Sequence, residues 1–166
     1  MYTLKKLSPD AIPAALEKAQ RYRMLDEPGE AESICLDVLA IDPRNQDALV
    51  ALLLARTEQF ERELARKFTE ARELLPLLES EYARVYFEGL ICERRAKAVL
   101  FHGALGAGRA ACDWFVQAMR HFERANELKP RGNDEAILRW NRCARILNER
   151  PDITPDEDER GPLLSE

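Results

Sequence analysis

Residues that commonly carry out chemistry are scarce in this sequence, which has two histidines, four cysteines and seven glycines among 166 residues. The cysteines, Cys35, Cys92, Cys112 and Cys143, form no C-x-x-C pair, so their spacing does not predict a metal site. No apolar run approaches the about 18 residues of a membrane span, and the first residues lack the apolar segment of a signal peptide. We therefore expect a cytoplasmic protein that does not cross a membrane.

The reactive side chains also lie at positions that do not favour catalysis. His121 falls within a predicted core-packing helix and His102 in a glycine-rich segment, so the sequence predicts no acid–histidine–nucleophile arrangement. Three cysteines follow apolar helical stripes and are expected to be buried hydrophobes. Cys112 is predicted to begin a helix, where the dipole favours a thiolate, although we expect an inert thiol. The prediction is a protein that is not an enzyme and holds no metal or cofactor.

The glycine-rich segment, residues 102–108, belongs to a longer insertion at 101–111. It lacks the G-K-[S/T] ending of a phosphate-binding loop, and no predicted strand precedes it. We therefore predict a surface loop between two long helices.

The net charge of −5 is distributed unevenly along the chain. Residues 1–83 carry 11 basic and 16 acidic side chains, residues 84–148 carry 12 and 7, and residues 149–166 carry 2 and 7. Three prolines and the run Asp156–Glu159 predict an acidic disordered tail over residues 149–166. The basic excess of residues 84–148 is modest and interleaved with acidic residues, so no nucleic-acid partner is expected.

The arginines of the basic segment allow two interpretations. Arg94, with Arg84, Arg142 or Arg145 near it, would offer guanidinium groups to a carboxylate-bearing peptide. Alternatively, these side chains form solvated helix faces with short-range ion pairs. The second interpretation is favoured, and both stay open.

One spaced pattern occurs three times, each time before a proline. It reads Ala31-x3-Cys35-x2-Val38-x4-Pro43, then Leu64-x3-Phe68-x2-Ala71-x4-Pro76, then Ala118-x3-Phe122-x2-Ala125-x4-Pro130. Steps of four and then three residues return to one face of a helix, and the proline follows where the helix must stop. The pattern predicts three helices that each bury one stripe of residues.

This pattern resembles the second helix of a tetratricopeptide (TPR) repeat, a unit of about 34 residues. The resemblance covers roughly residues 10–148, and the long third unit is similar to uncharacterised bacterial TPR proteins. It implies an all-α, right-handed TPR-like α-solenoid of three helix pairs plus a C-terminal capping helix. The implied organisation is an N-terminal extension 1–8, a repeat domain 9–148 with units at about 9–43, 46–76 and 78–130 and a capping helix at 133–148, then the tail.

The predicted helices are uneven in length because Pro76 and Pro130 stand 54 residues apart, about 20 more than one repeat. The first helix of the third unit is therefore expected to be long. The predicted helices span residues 9–25, 30–41, 47–58, 60–75, 78–101, 112–128 and 133–148.

In TPR proteins the first helix of each pair lines a concave groove that receives extended peptides or partner helices. Carried over to this sequence, the groove residues are Leu16, Gln20, Arg23, Val50, Ala51, Leu54, Tyr86, Phe87, Leu90 and Arg94. Leu16 and Gln20 stand where one TPR subclass places a lysine-and-asparagine clamp for acidic C-termini. That clamp is absent, and an apolar groove edged by arginine fits an amphipathic helix or apolar peptide.

The resemblance implies a non-catalytic interaction scaffold or adaptor that binds a protein partner in this groove. A second hypothesis is a homo-oligomeric structural or assembly protein, such as a homodimer formed through its apolar central layer. A third is a secretion-chaperone-like TPR protein, which size and repeat count allow.

Overall fold

A computed structural model describes residues 1–153, and these form an all-α structure of seven α-helices packed as adjacent antiparallel pairs. The helices are α1 (Ile12–Met24), α2 (Pro28–Ile41), α3 (Gln46–Thr57), α4 (Phe60–Arg72), α5 (Glu81–His102), α6 (Ala107–Leu128) and α7 (Glu135–Glu149). Short 3-10 turns at Pro9–Ala11 and Leu75–Leu77 precede α1 and α5. Along the described part of the chain, no helix is long and apolar enough to cross a membrane.

The chain divides into two compact units, residues 1–84 and residues 85–166, so the boundary falls inside α5. In the first unit α1 packs on α2, α2 on α3 and α3 on α4, and α1 also contacts α3. In the second unit α6 packs on α7. Residues 1–8 precede the first helical turn and are exposed except for half-buried Leu7.

In α2 and α6 the repeated pattern marks a buried helix face, as its spacing predicts. Ala31, Cys35 and Val38 of α2 are fully buried, and Ala118, Phe122 and Ala125 of α6 are buried to the same degree. Of the three pattern residues in α4, Ala71 is fully buried, whereas Leu64 and Phe68 are half-buried. Glu63 has non-helical dihedral angles (φ −141°, ψ 54°), and this kink precedes the pattern in α4.

Local signals account for where several helices begin. The Asn45 side chain caps α3, because its Oδ1 accepts a hydrogen bond from the Ala48 amide at 2.9 Å. Pro28 occupies the first position of α2, where a missing amide proton is not needed. Gly106 adopts a left-handed conformation (φ 79°) immediately before α6, a geometry that favours glycine.

The glycine-rich loop is shorter than predicted, and α6 begins at Ala107 rather than Cys112. Alanines dominate the segment 107–111, and their helix propensity outweighs that of the single Gly108. Cys112 therefore lies in the second turn of α6 and is buried, so the prediction that it begins a helix was wrong.

The first residues of the predicted disordered tail are ordered. Glu149 ends α7, and Arg150 pairs with Asp152 at 2.6 Å. The Ile153 side chain is buried in the second unit, and its amide donates to the Arg150 carbonyl at 3.0 Å. The remainder of the tail, including Asp156–Glu159, lies outside the described residues.

Candidate functional site

The groove residues predicted in the first unit differ in accessibility. Ala51 is buried in the core, with 1% of its surface exposed, and is not available to a partner. Gln20 is exposed, and the other four are half-buried: Leu16, Arg23, Val50 and Leu54. They lie on α1 and α3, which contact each other as well as their neighbouring helices.

Arg23 is held by acceptors within the first unit. Its Nη2 donates to Glu58 Oε1 at 2.6 Å and its Nε to Glu58 Oε2 at 3.1 Å, a bidentate ion pair. Its Nη1 donates to Gln20 Oε1 at 2.7 Å. The guanidinium is thus fixed and neutralised rather than presented to an incoming carboxylate.

The groove residues predicted in the second unit are also divided. Tyr86 and Leu90 are buried, whereas Phe87 and Arg94 are half-buried. The Tyr86 ring packs on Phe122 with ring centroids 5.8 Å apart. Burial raises the pKa of the Tyr86 hydroxyl, and its hydrogen bond with Arg139 only partly opposes that rise. Tyr86 and Leu90 are therefore core residues, whereas Phe87 and Arg94 are partly accessible.

The arginines suggested as partners of Arg94 are differently placed. Arg84 belongs to the first unit, where its Nη1 donates to the carbonyl oxygens of Leu78 at 2.5 Å and Glu79 at 3.1 Å. Arg142 and Arg145 are exposed on α7. Arg84 thus stabilises the conformation of the residues that precede α5.

A cluster of charged side chains lies between α2, α3 and α4. Glu32 accepts from Lys67 Nζ at 2.6 Å, from Gln59 Nε2 at 2.6 Å and from Arg56 Nε at 3.2 Å. Lys67 also approaches Glu70 Oε2 at 3.4 Å. The side chain of Lys67 is only 5% exposed, so its ammonium depends on these two carboxylates.

Glu32 has a shifted pKa as a result. Burial alone would raise the pKa of the carboxyl, but hydrogen bonds from Lys67, Gln59 and Arg56 together hold it below the ordinary value. The charged form of Glu32 therefore stabilises the folded first unit.

Glu93 is the corresponding buried acid of the second unit. Its side chain is fully buried, and its carboxylate pairs with Lys97 one turn along α5 and with Arg139 of α7 at 3.5 Å. This pairing links α5 to α7. The arrangement compensates a charge that would be costly to bury alone.

Two of the buried cysteines are poor nucleophiles. Burial raises the pKa of the Cys35 thiol to about 11 and that of the Cys143 thiol to about 12. Both therefore stay protonated near neutral pH and act as small hydrophobic residues, as the sequence predicts.

One group of side chains in the second unit could hold a metal ion. The ligand atoms of Glu88, Cys92 and His121 all lie within 4.8 Å of one another. Glu88 and Cys92 are four residues apart on α5, and His121 reaches them from α6. Cys92 is buried, while the other two are half-buried.

Gly89 allows the helices to come close enough to form this group. A Cβ atom at position 89 would lie 2.8 Å from Phe122 Cε1 and 3.1 Å from His121 Cβ. Only glycine accommodates that approach without displacing α6. The group could not be predicted from the sequence because residue spacing does not encode the contact between the two helices. The one available signal was Glu-x3-Cys around a glycine.

Comparison with protein-family models, with curated proteins and with solved structures gave no match. The function is therefore inferred from the side chains described above.

Proposed function

We propose that the protein is a non-catalytic interaction scaffold built as a right-handed TPR-like solenoid, three helix pairs with α7 as the terminal cap. It would bind an amphipathic helix or an apolar peptide on the surface formed by the first helices of the pairs. Consecutive antiparallel helix pairs and the contact between α1 and α3 support this proposal.

The observation that carries the proposal is the half-exposed apolar surface of α1 and α3. Leu16, Val50 and Leu54 are each partly accessible on these adjacent helices. The Arg23–Glu58 ion pair lies beside this surface, with side chains that are 16% and 19% exposed. Arg23 belongs to α1, and Glu58 directly follows the last residue of α3. An apolar stripe without net charge favours an apolar partner face over an acidic peptide.

The test compares affinity capture by the full chain with capture by matched charge variants. Leu54→Glu adds a charge to the proposed surface, and Leu36→Glu adds the same charge to an exposed position of α2 outside it. For the second unit, Phe87→Glu is paired with Phe101→Glu, an exposed phenylalanine of the same helix. Leu54→Glu and Phe87→Glu should each lose the captured protein, and their controls should retain it.

Two results would overturn this proposal. Equal loss in a variant and its control, with circular dichroism unchanged, would place the interaction elsewhere. The second result would come from light scattering across a concentration series. If the protein forms a dimer and Leu54→Glu dissociates it, the surface is used for self-association.

A further inference from the structure

We propose that Glu88, Cys92 and His121 form a binding site for one Zn²⁺ ion between α5 and α6. The spacing of the cysteines predicts no metal site, and two of these three ligands are not cysteines. The inference goes beyond the proposed scaffold function and does not depend on it.

The geometry suits a tetrahedral ion. Bonds of about 2.0–2.3 Å to nitrogen, oxygen and sulfur place neighbouring ligand atoms roughly 3.5 Å apart around zinc. The ligand atoms of the three side chains already lie within 4.8 Å of one another. The ligand atoms are therefore already gathered at one point of the fold, where Gly89 lets α5 and α6 approach closely.

The donor set selects the metal by its chemistry. A thiolate and an imidazole are ligands that Zn²⁺ prefers, whereas Mg²⁺ and Ca²⁺ take oxygen ligands. Cys92, as the buried member, would supply the thiolate, and the half-buried Glu88 and His121 would complete a mixed S, N, O set. Three protein ligands leave a fourth position of the tetrahedron for water.

A metal bound here would connect α5 to α6. Since Glu88 and Cys92 belong to one helix and His121 to the other, binding would be coupled to the packing of the second unit. Zinc should then stabilise the folded protein as a ligand that binds only the native state.

The experiment titrates the metal-free full chain with Co²⁺ and, separately, with Zn²⁺. Cobalt should bind one equivalent and develop a thiolate-to-metal charge-transfer band with the visible bands of a tetrahedral ion. Zinc should displace cobalt and raise the melting temperature, whereas Mg²⁺ should do neither.

Matched variants separate this site from adventitious binding. Cys92→Ser and His121→Gln should each weaken zinc binding by at least about 100-fold. Mutating a residue that only hydrogen-bonds to a metal ligand already costs up to about 100-fold in affinity, and these substitutions remove a ligand itself. The controls are Cys143→Ser, a buried cysteine of the same unit, and His102→Gln, the other histidine of the chain. Both controls should bind zinc like the unchanged protein.

Absence of binding to the unchanged chain would overturn the proposal, as would octahedral cobalt bands without charge transfer. Equal affinity in His121→Gln would do so too. If Cys92→Ser does not fold, His121→Gln and Glu88→Gln decide the question, since both positions are half-buried and circular dichroism reports whether each variant folds.

Discussion

At the scale of single residues, Gly89 lies in close contact with side chains of α6. Its missing side chain leaves space that Phe122 and His121 occupy from α6. Phe122 is itself a core residue with 1% exposure, so it has little room to move. The packing of α5 on α6 thus depends on the absence of a Cβ atom at position 89.

Gly89→Ala should destabilise the protein. Alanine gains about 1 kcal/mol of helix propensity, but the overlap with the Phe122 ring should cost about 2–3 kcal/mol and leave a net loss of about 1–2 kcal/mol. Urea unfolding followed by tryptophan fluorescence measures the change.

Gly29→Ala is the matched control for that substitution. Gly29 lies in α2, and a Cβ there would have no neighbour within 4 Å. It should be neutral or stabilising by up to about 1 kcal/mol. A Gly89→Ala protein as stable as the control would show that α5 and α6 do not pack as described.

At the scale of elements, the C-terminal turn is held against the start of α6. A Cβ at Gly108 would overlap the backbone oxygen of Asp152 and would lie 3.7 Å from Ile153 Cα. Because backbone atoms form this contact, no side-chain rotation can relieve the overlap. The turn and the helix therefore fit together only with glycine at position 108.

Gly108→Ala should release this turn while leaving α6 helical. Exchange of the Ile153 amide, which donates to the Arg150 carbonyl, should become faster by about tenfold or more as local opening becomes easier. Hydrogen exchange followed by NMR measures it. Unaltered exchange at Ile153, as expected for Gly29→Ala, would contradict the contact.

The sequence predicted the helices far better than their contacts. The spacing of Ala118, Phe122 and Ala125 identified a buried face because helical period and burial are local properties. The start of α6 was misplaced because glycines at 103, 106 and 108 read as one loop, although only the first two have positive φ.

The candidate metal ligands and the buried charges could not be predicted for a different reason. Glu93 and Lys67 look like solvent-facing positions in a helical pattern, and only tertiary pairing makes their burial tolerable. Glu88 and His121 meet only because two helices approach at Gly89. The predicted interaction groove stays a prediction. Ala51, Tyr86 and Leu90 no longer belong to it, because they are buried.

At the scale of the whole molecule, the two compact units differ in the side chains through which their unfolding can be followed. Both tryptophans, Trp114 and Trp140, lie in the second unit, whereas the Glu32 cluster lies in the first. Tryptophan fluorescence therefore follows one unit, and far-ultraviolet circular dichroism follows both.

Acid should destabilise the first unit through Glu32. The pKa of this carboxyl is depressed in the folded state, so its stabilisation is complete above the unfolded pKa and is lost as the pH falls through the folded one. Glu32→Gln should lower stability near neutral pH by about 2 kcal/mol, the value of hydrogen bonds to a charged group. It should also flatten the dependence of stability on acid pH.

The measurement is unfolding at a series of pH values, followed by both signals. Glu32→Gln should move the circular dichroism transition to lower stability at neutral pH. An unchanged acid profile would contradict the role of Glu32.

The number of cysteines that a thiol reagent can modify reports which unit of the molecule has opened. Cys35 is the only cysteine of residues 1–84, and the other three lie in residues 85–166. A thiol reagent can reach them only when the surrounding helices separate. Opening of the first unit would therefore be recorded as one modified thiol per molecule and opening of the second as three, so the mass added to each molecule records which unit unfolded.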